Sequence, residues 1–173
     1  MKKNLLTIAV LCLPALAQTS VKDSLAKHWK ESQTFTLAVA NAMPADDYNF
    51  KPSPAEMGFG EMMIHIGGAN SGACAVAAGL QRPALPPKVA EEVKSKQVEK
   101  DVAIEYLTST FNFCQDAVGS MTPAKLDAMV GPGSRKMTGF EWLWAYFTHT
   151  AHHRAQAEVY LRVKGIQPPD YTF

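Results

Sequence analysis

Apolar positions along this chain recur mostly at helical spacing and fall into four blocks. The first spans residues 21–43, where Trp29, Phe35, Leu37 and Val39 supply the apolar bulk. The proline-rich stretch "MPADDYNFKPSPAEMG" ends it. The second block runs over residues 58–80. One of its faces is unusually small, with Gly67, Gly68, Ala69, Gly72, Ala73, Ala77 and Ala78, which lets another backbone approach closely at some cost in helix propensity. The third covers residues 95–121, with Val98, Val102, Ile104, Leu107, Phe111 and Val118. The fourth has the clearest start: Thr138 and Glu141 make a T-x-x-E capping box, and Gly165 followed by Pro168 and Pro169 marks the stop. Strand-like alternation is scarce. The pattern therefore predicts an all-α four-helix bundle.

Two connections complete the layout. "QRPALPPKVAEEVK" reads as an extended linker, whose fourteen residues would reach ~45 Å and allow the second and third helices to run parallel. "TPAKLDAMVGPGSRKM" reads as a loop with a turn at Gly131–Gly133.

Composition changes the picture chiefly at the N-terminus. The 173 residues are 47% hydrophobic and 19% charged, the profile of one ordinary globular domain. "MKKNLLTIAVLCLPALAQTS" departs from it: two lysines, an apolar run from Leu5 to Leu13, then Pro14 and the small residues of Ala15–Ala17. Those features predict a secretory signal peptide over residues 1–17, a bundle domain over residues 18–173, and a periplasmic or secreted protein. The apolar run is too short to span a bilayer, and Leu11 before Cys12 is wrong for lipoprotein processing. Glu61, His65 and Asn70 interrupt the second block, so no stable membrane span is expected there either. Without Lys2 and Lys3 the chain carries 15 basic and 16 acidic residues, which gives no sign of a nucleic-acid partner. Cys12 leaves with the signal peptide. Cys74 and Cys114 then form an even pair, open to a disulfide in an exported protein or to burial as two small core residues.

The chemistry concentrates in "YFTHTAHHRAQAEVYLRVKG", residues 146–165, which holds three of the five histidines. Trp142, Tyr146, His149, His153, Gln156 and Tyr160 share one helix face. His149 and His153, at i and i+4, stack one turn apart and suit a divalent metal, while His152 flanks that stripe. A third ligand must come from another helix. His28 lies among charged residues and reads as solvated, whereas His65 has Met62, Met63 and Ile66 around it and reads as at least partly buried. A set of His65, His149 and His153 leaves a coordination position open, as catalytic zinc sites do. The pair lacks the glutamate of H-E-x-x-H, and neither a G-x-S-x-G elbow nor a phosphate-binding glycine loop occurs.

Two segments also carry a family resemblance. "GFGEMMIHIGGAN" is similar to the second-helix motif of the DinB/YfiT-like superfamily of metalloenzymes, and "HTAHHRAQ" resembles its H-x-x-x-H-R-x-Q motif. "VKGIQPPDY" is similar to the tail that follows the last helix, so the resemblance covers roughly residues 21–173. It implies up-down-down-up connectivity and the ligands His65, His149 and His153. It further implies a divalent metal ion, zinc first with nickel or iron as alternatives. Arg154 and Gln156 match the motif, Arg154 as an ion-pairing residue and Gln156 as a group behind the ligands or in the pocket. His152 is expected behind the ligands or partly exposed.

The expected function is a metal-dependent hydrolase acting on a small molecule through a metal-bound water. Glu61, Asn70, Tyr146, Gln156 and Tyr160 are candidates for moving a proton or orienting substrate, while Glu141 is expected to be spent on the helix cap. The alternatives are a thiol-dependent S-transferase or isomerase of the same superfamily, disfavoured where reduced thiols are scarce, and a non-catalytic binder of metal or a small ligand. The expected partners are a small-molecule substrate and, as a homodimer, a second copy of the chain.

Overall fold

The computed structural model describes residues 20–171, so the segment read as a signal peptide lies outside the described residues. Four long helices form the bundle. Helix α1 spans Val21–Ala42 and α2 spans Phe59–Ala78. A short α3 covers Pro87–Ser95, α4 runs over Lys100–Gly119, α5 over Pro123–Asp127, and α6 over Gly139–Val163. Helix α2 packs against α4 and α6, and α1 packs against the same two, which puts α1 and α2 on opposite corners.

Local chemistry sets the ends of these helices. Ser20 caps α1 by accepting from the Asp23 N–H at 3.1 Å. The expected box at the start of α6 is present: the Thr138 N–H donates to Glu141 Oε2 at 2.7 Å, and the Glu141 N–H donates to Thr138 Oγ1 at 3.1 Å. Helix α2 ends on Gly79 in the left-handed region at φ 68°. The core between the helices holds Trp29, Phe59, Met62, Met63, Ile66, Leu107, Phe111, Leu143 and Leu161, all essentially excluded from solvent. Burying each such side chain contributes about 1.5–3 kcal/mol.

The small face of α2 has a steric cause. A Cβ on Gly67 would stand 2.7 Å from Thr110 Oγ1, and one on Gly60 would stand 2.8 Å from Val98 Cβ. Helix α4 therefore lies against α2 closer than any side chain at Gly67 allows. The same pair of helices is joined covalently by a disulfide between Cys74 and Cys114, whose Cα atoms are 5.4 Å apart.

Two segments differ from the sequence expectation. The fourteen-residue linker is not extended throughout: Pro87 opens helix α3, which ends at Lys96 in the left-handed region at φ 57°. The third long helix consequently starts at Lys100 rather than at residue 95. The break has a tertiary reason. Asn49, from the segment after α1, accepts from the Val98 N–H at 2.7 Å and donates to the Val98 carbonyl at 3.3 Å, clamping the chain between the two helices. The loop after α4 likewise contains structure. Thr122 caps α5, and β1 (Met129–Val130) pairs antiparallel with β2 (Met137–Thr138). Trp142 Nε1 donates to the Val130 carbonyl at 3.1 Å and ties this hairpin to α6.

Candidate metal centre

Helix α6 presents His149 and His153 one turn apart, and α2 brings His65 up to them. His149 Nε2 lies 3.2 Å from His65 Nε2 and 3.1 Å from His153 Nε2. One ligand atom from each of the three residues falls within 4.8 Å of the others. Among the described residues no other group of three His, Cys, Asp or Glu side chains is so arranged. Around a tetrahedral ion with bonds near 2.1 Å, neighbouring donors stand about 3.4 Å apart, so this donor set fits a divalent metal.

The proton inventory points the same way. Gln156 Oε1 lies 2.8 Å from His153 Nδ1. An amide oxygen only accepts, so the ring proton sits on Nδ1 and the Nε2 lone pair faces the cluster. A proton on His149 Nε2 would satisfy one neighbour and leave the other facing it unmatched, whereas a cation serves all three. Burial pulls His149 down to about 4, with the charges of His153, His65 and His152 adding to it. Burial also lowers His65, and it lowers His153 against the opposing bond to Gln156. Three neutral imidazoles are what a metal requires at neutral pH. His149 Nδ1 is buried with no hydrogen-bond partner among the described residues.

His65 is more exposed than its apolar neighbours suggested, although what burial it has still lowers its pKa. It borders a cavity of about 470 Å³, shared with Gly68, Gly72, Arg82, Arg135 and Tyr146. A larger recess of about 730 Å³ lies elsewhere, between the start of α1 and the α5 region, and has no histidine in its wall. The chemistry, not the size, therefore marks the smaller cavity.

The other residues singled out in the sequence take varied places. Tyr146 lies beside the centre, its ring 5.5 Å from that of His149, and its hydroxyl accepts from Arg135 Nη2 at 3.0 Å. Asn70 is fully buried behind the site, with Thr150 Oγ1 3.0 Å from its Oδ1 and its Nδ2 without a partner among the described residues. His152 is exposed, its ring edge-on to His153 at 4.9 Å. His28 is also exposed and pairs with Glu31 at 2.9 Å, away from the cluster. Glu61 accepts from the Gly58 N–H at 2.7 Å and from Lys51 at 3.2 Å, closing the N-terminal end of α2. Burial alone would raise its pKa, but these two contacts outweigh that and hold the carboxyl below its ordinary value. Tyr160 donates to the Met57 carbonyl at 3.1 Å. Both Glu61 and Tyr160 are thus committed to anchoring the entry to α2.

Arg154 differs from the ion-pairing role implied by the motif. Its Nη1 donates to Ser32 Oγ at 3.2 Å, and its guanidinium lies over the Phe35 ring at 4.6 Å. No carboxylate lies within ion-pair distance among the described residues, because the α1 face that it meets offers hydroxyls and a ring. Two residues at the cavity escaped the sequence reading altogether. Arg82 and Arg135 sit in segments taken as connections, where no periodicity marks a position as facing a site.

The comparisons with known proteins agree with this architecture. The DinB-like protein YjoA of Bacillus subtilis superposes with a TM-score of 0.69 at 20% identity, covering 86% of this chain and 97% of that one. A DinB-like protein of Bacillus cereus superposes with a TM-score of 0.71 at 16% identity, covering 89% of this chain and 99% of that one. At such identities the likeness is one of fold. No curated protein matches the sequence. The model of the DinB superfamily matches residues 28–157, a span that includes all three clustered histidines. The chain is a member of the DinB superfamily.

Proposed function

We propose that this protein is an exported, metal-dependent hydrolase acting on a small molecule at the centre formed by His65, His149 and His153. The observation that carries the proposal is a cluster of three neutral imidazoles of which one, His65, borders an open cavity. A site that only stored metal would need no such access. A divalent ion, zinc first, supplies Lewis acidity at such a centre and brings the pKa of water towards neutrality.

The protein's own groups have distinct tasks. Gln156 fixes the His153 ring and its tautomer through Nδ1. Tyr146 borders the cavity, and its hydroxyl, accepting from Arg135, keeps its own proton available at Oη for a leaving group. Asn70 and Thr150 brace α2 against α6 behind the ligands. The Cys74–Cys114 bond supports export, since disulfides persist in oxidising compartments. It argues against dependence on a reduced thiol for the same reason.

One assay series tests the proposal. Small carboxylic esters are offered to the purified protein with and without chelator, and with and without glutathione. Hydrolysis should vanish on chelation, return with Zn²⁺, Ni²⁺ or Fe²⁺, and need no thiol. Strict thiol dependence would make the protein a transferase instead, and bound metal without turnover in any arm would make it a binder. Mass spectrometry of protein from the native cell envelope should place the N-terminus near Gln18, and an intact Met1 would remove the export half of the proposal.

A further inference from the structure

We propose that the cavity beside His65 is an anion-recognition subsite, built from Arg82 and Arg135, that selects small molecules carrying a carboxylate or phosphate group. This deepens the hydrolase reading by naming a substrate class and rests on that reading for its place in catalysis. The binding itself requires no turnover.

The two arginines come from separate segments, Arg82 from the stretch after α2 and Arg135 from the turn between β1 and β2, yet both line the cavity that His65 borders. Neither is ion-paired with a carboxylate among the described residues. No acidic side chain lines the cavity to neutralise them. In a chain whose formal net charge is only +1, two uncompensated guanidiniums in one recess are a local feature.

Both are held in place. Arg82 Nη2 donates to the Gly68 carbonyl at 2.7 Å. Its planar head lies across the α2 surface where Gly68 and Gly72 have no side chains: a Cβ on either would already meet it at 3.5 or 3.6 Å, and anything longer would displace it. Arg135 stands over the Trp142 ring at 4.9 Å and the Tyr146 ring at 5.8 Å, and donates Nη2 to the Tyr146 hydroxyl. A guanidinium carries five N–H donors in a flat fork that matches the paired oxygens of a carboxylate or phosphate. One contact apiece to protein leaves most of each fork available. Because the side chains are already seated, little rotamer freedom remains to be lost on binding. Tyr146 then links Arg135 to the His149 ring, so an anion held here lies next to the metal centre.

The test is isothermal titration of the full chain as purified, repeated after metal removal, with succinate, succinamide and inorganic phosphate at low ionic strength. Succinate, phosphate or both should bind in saturable fashion with and without metal, and the neutral diamide should not. The arm that binds more tightly identifies the anion. Arg82→Met and Arg135→Met should each weaken binding about tenfold or more, as loss of a charge-assisted fork requires. Lysine at either position should restore only part of it, since the point charge lacks the fork. Circular dichroism checks that every variant is folded. Equal binding of the diamide, or affinities unmoved in both methionine variants, would overturn the proposal. Its failure is separable from that of the hydrolase reading: chelator-sensitive hydrolysis of neutral esters without anion binding sinks only the subsite, and arginine-dependent anion binding without any hydrolysis sinks only the enzyme.

Discussion

Removal of the Cys74–Cys114 bond is the perturbation whose magnitude the structure defines best. The two cysteines are separated by 40 residues, and both are fully buried between α2 and α4. In the chain-entropy treatment, closing a loop of that length removes roughly 13 cal/mol/K from the unfolded ensemble, or about 4 kcal/mol at 25 °C. Cys74→Ala combined with Cys114→Ala should therefore lower the melting temperature by roughly 8–16 °C for a domain of this size. The assay is thermal unfolding followed by circular dichroism, comparing the double variant with the wild type in oxidised and in fully reduced form. The reduced wild type keeps both sulfur atoms in the core and so isolates the cross-link from lost packing. It should melt close to the double variant and well below the oxidised protein. Reduction should also be slow under native conditions, because the bond is shielded from solvent. A difference under about 2 °C between oxidised and reduced protein, equivalent to less than about 1 kcal/mol, would refute the reasoning. So would free thiols found at Cys74 and Cys114 in the denatured, unreduced protein. Since α2 also carries His65, the loss of stability should be accompanied by weaker metal retention on heating.

Two further predictions concern the metal centre. His149→Ala should abolish most metal content by elemental analysis, because it removes the ligand whose Nε2 approaches both others, while His28→Ala, remote and exposed, should leave it unchanged. The metal-free protein should lose stability as pH falls from about 6.5 towards 4. His149 titrates near 4 when folded and near its ordinary value of 6.5 when unfolded, so between those values the unfolded chain binds more protons and is favoured by acid. Urea unfolding of chelated protein at a series of pH values measures this, and a flat profile over that window contradicts it.

The histidine cluster owes its shape to two kinds of information. The i, i+4 spacing of His149 and His153 is local: a helix of 3.6 residues per turn stacks them whatever lies opposite. The capping box at Thr138 and Glu141 is local too, since it needs only two side chains and the first turn of backbone. His65 was legible as the third candidate ligand because its apolar neighbours Met62, Met63 and Ile66 set it apart from solvated His28, and because the segment around it resembles the superfamily's second-helix motif. Its exposure was not, since neighbouring apolar residues say which side of α2 is buried but not where a ring at the edge of that side will lean.

Helical periodicity and end signals along the chain determined that four long helices exist, approximately where they lie, and that two histidines share a face. Those properties arise from interactions within a few residues. Tertiary structure alone decided the rest. The clamp of Asn49 on Val98 split the linker into α3 and a later start for α4, although 49 residues separate the partners. The small face of α2 is explained only by the side chains that lie against it, Thr110 and Tyr106 of α4 at Gly67 and the Arg82 guanidinium at Gly68 and Gly72. Cys74 and Cys114 were two thiols in the sequence and became one bond because α2 and α4 bring their Cα atoms within 5.4 Å. Glu61 and Tyr160 looked free for chemistry until the segment entering α2 engaged both. Arg82 and Arg135 acquired a common cavity through the packing of a linker and a hairpin onto α2 and α6. Each of these depends on contacts between distant segments, whose geometry is set by how whole helix faces exclude water together.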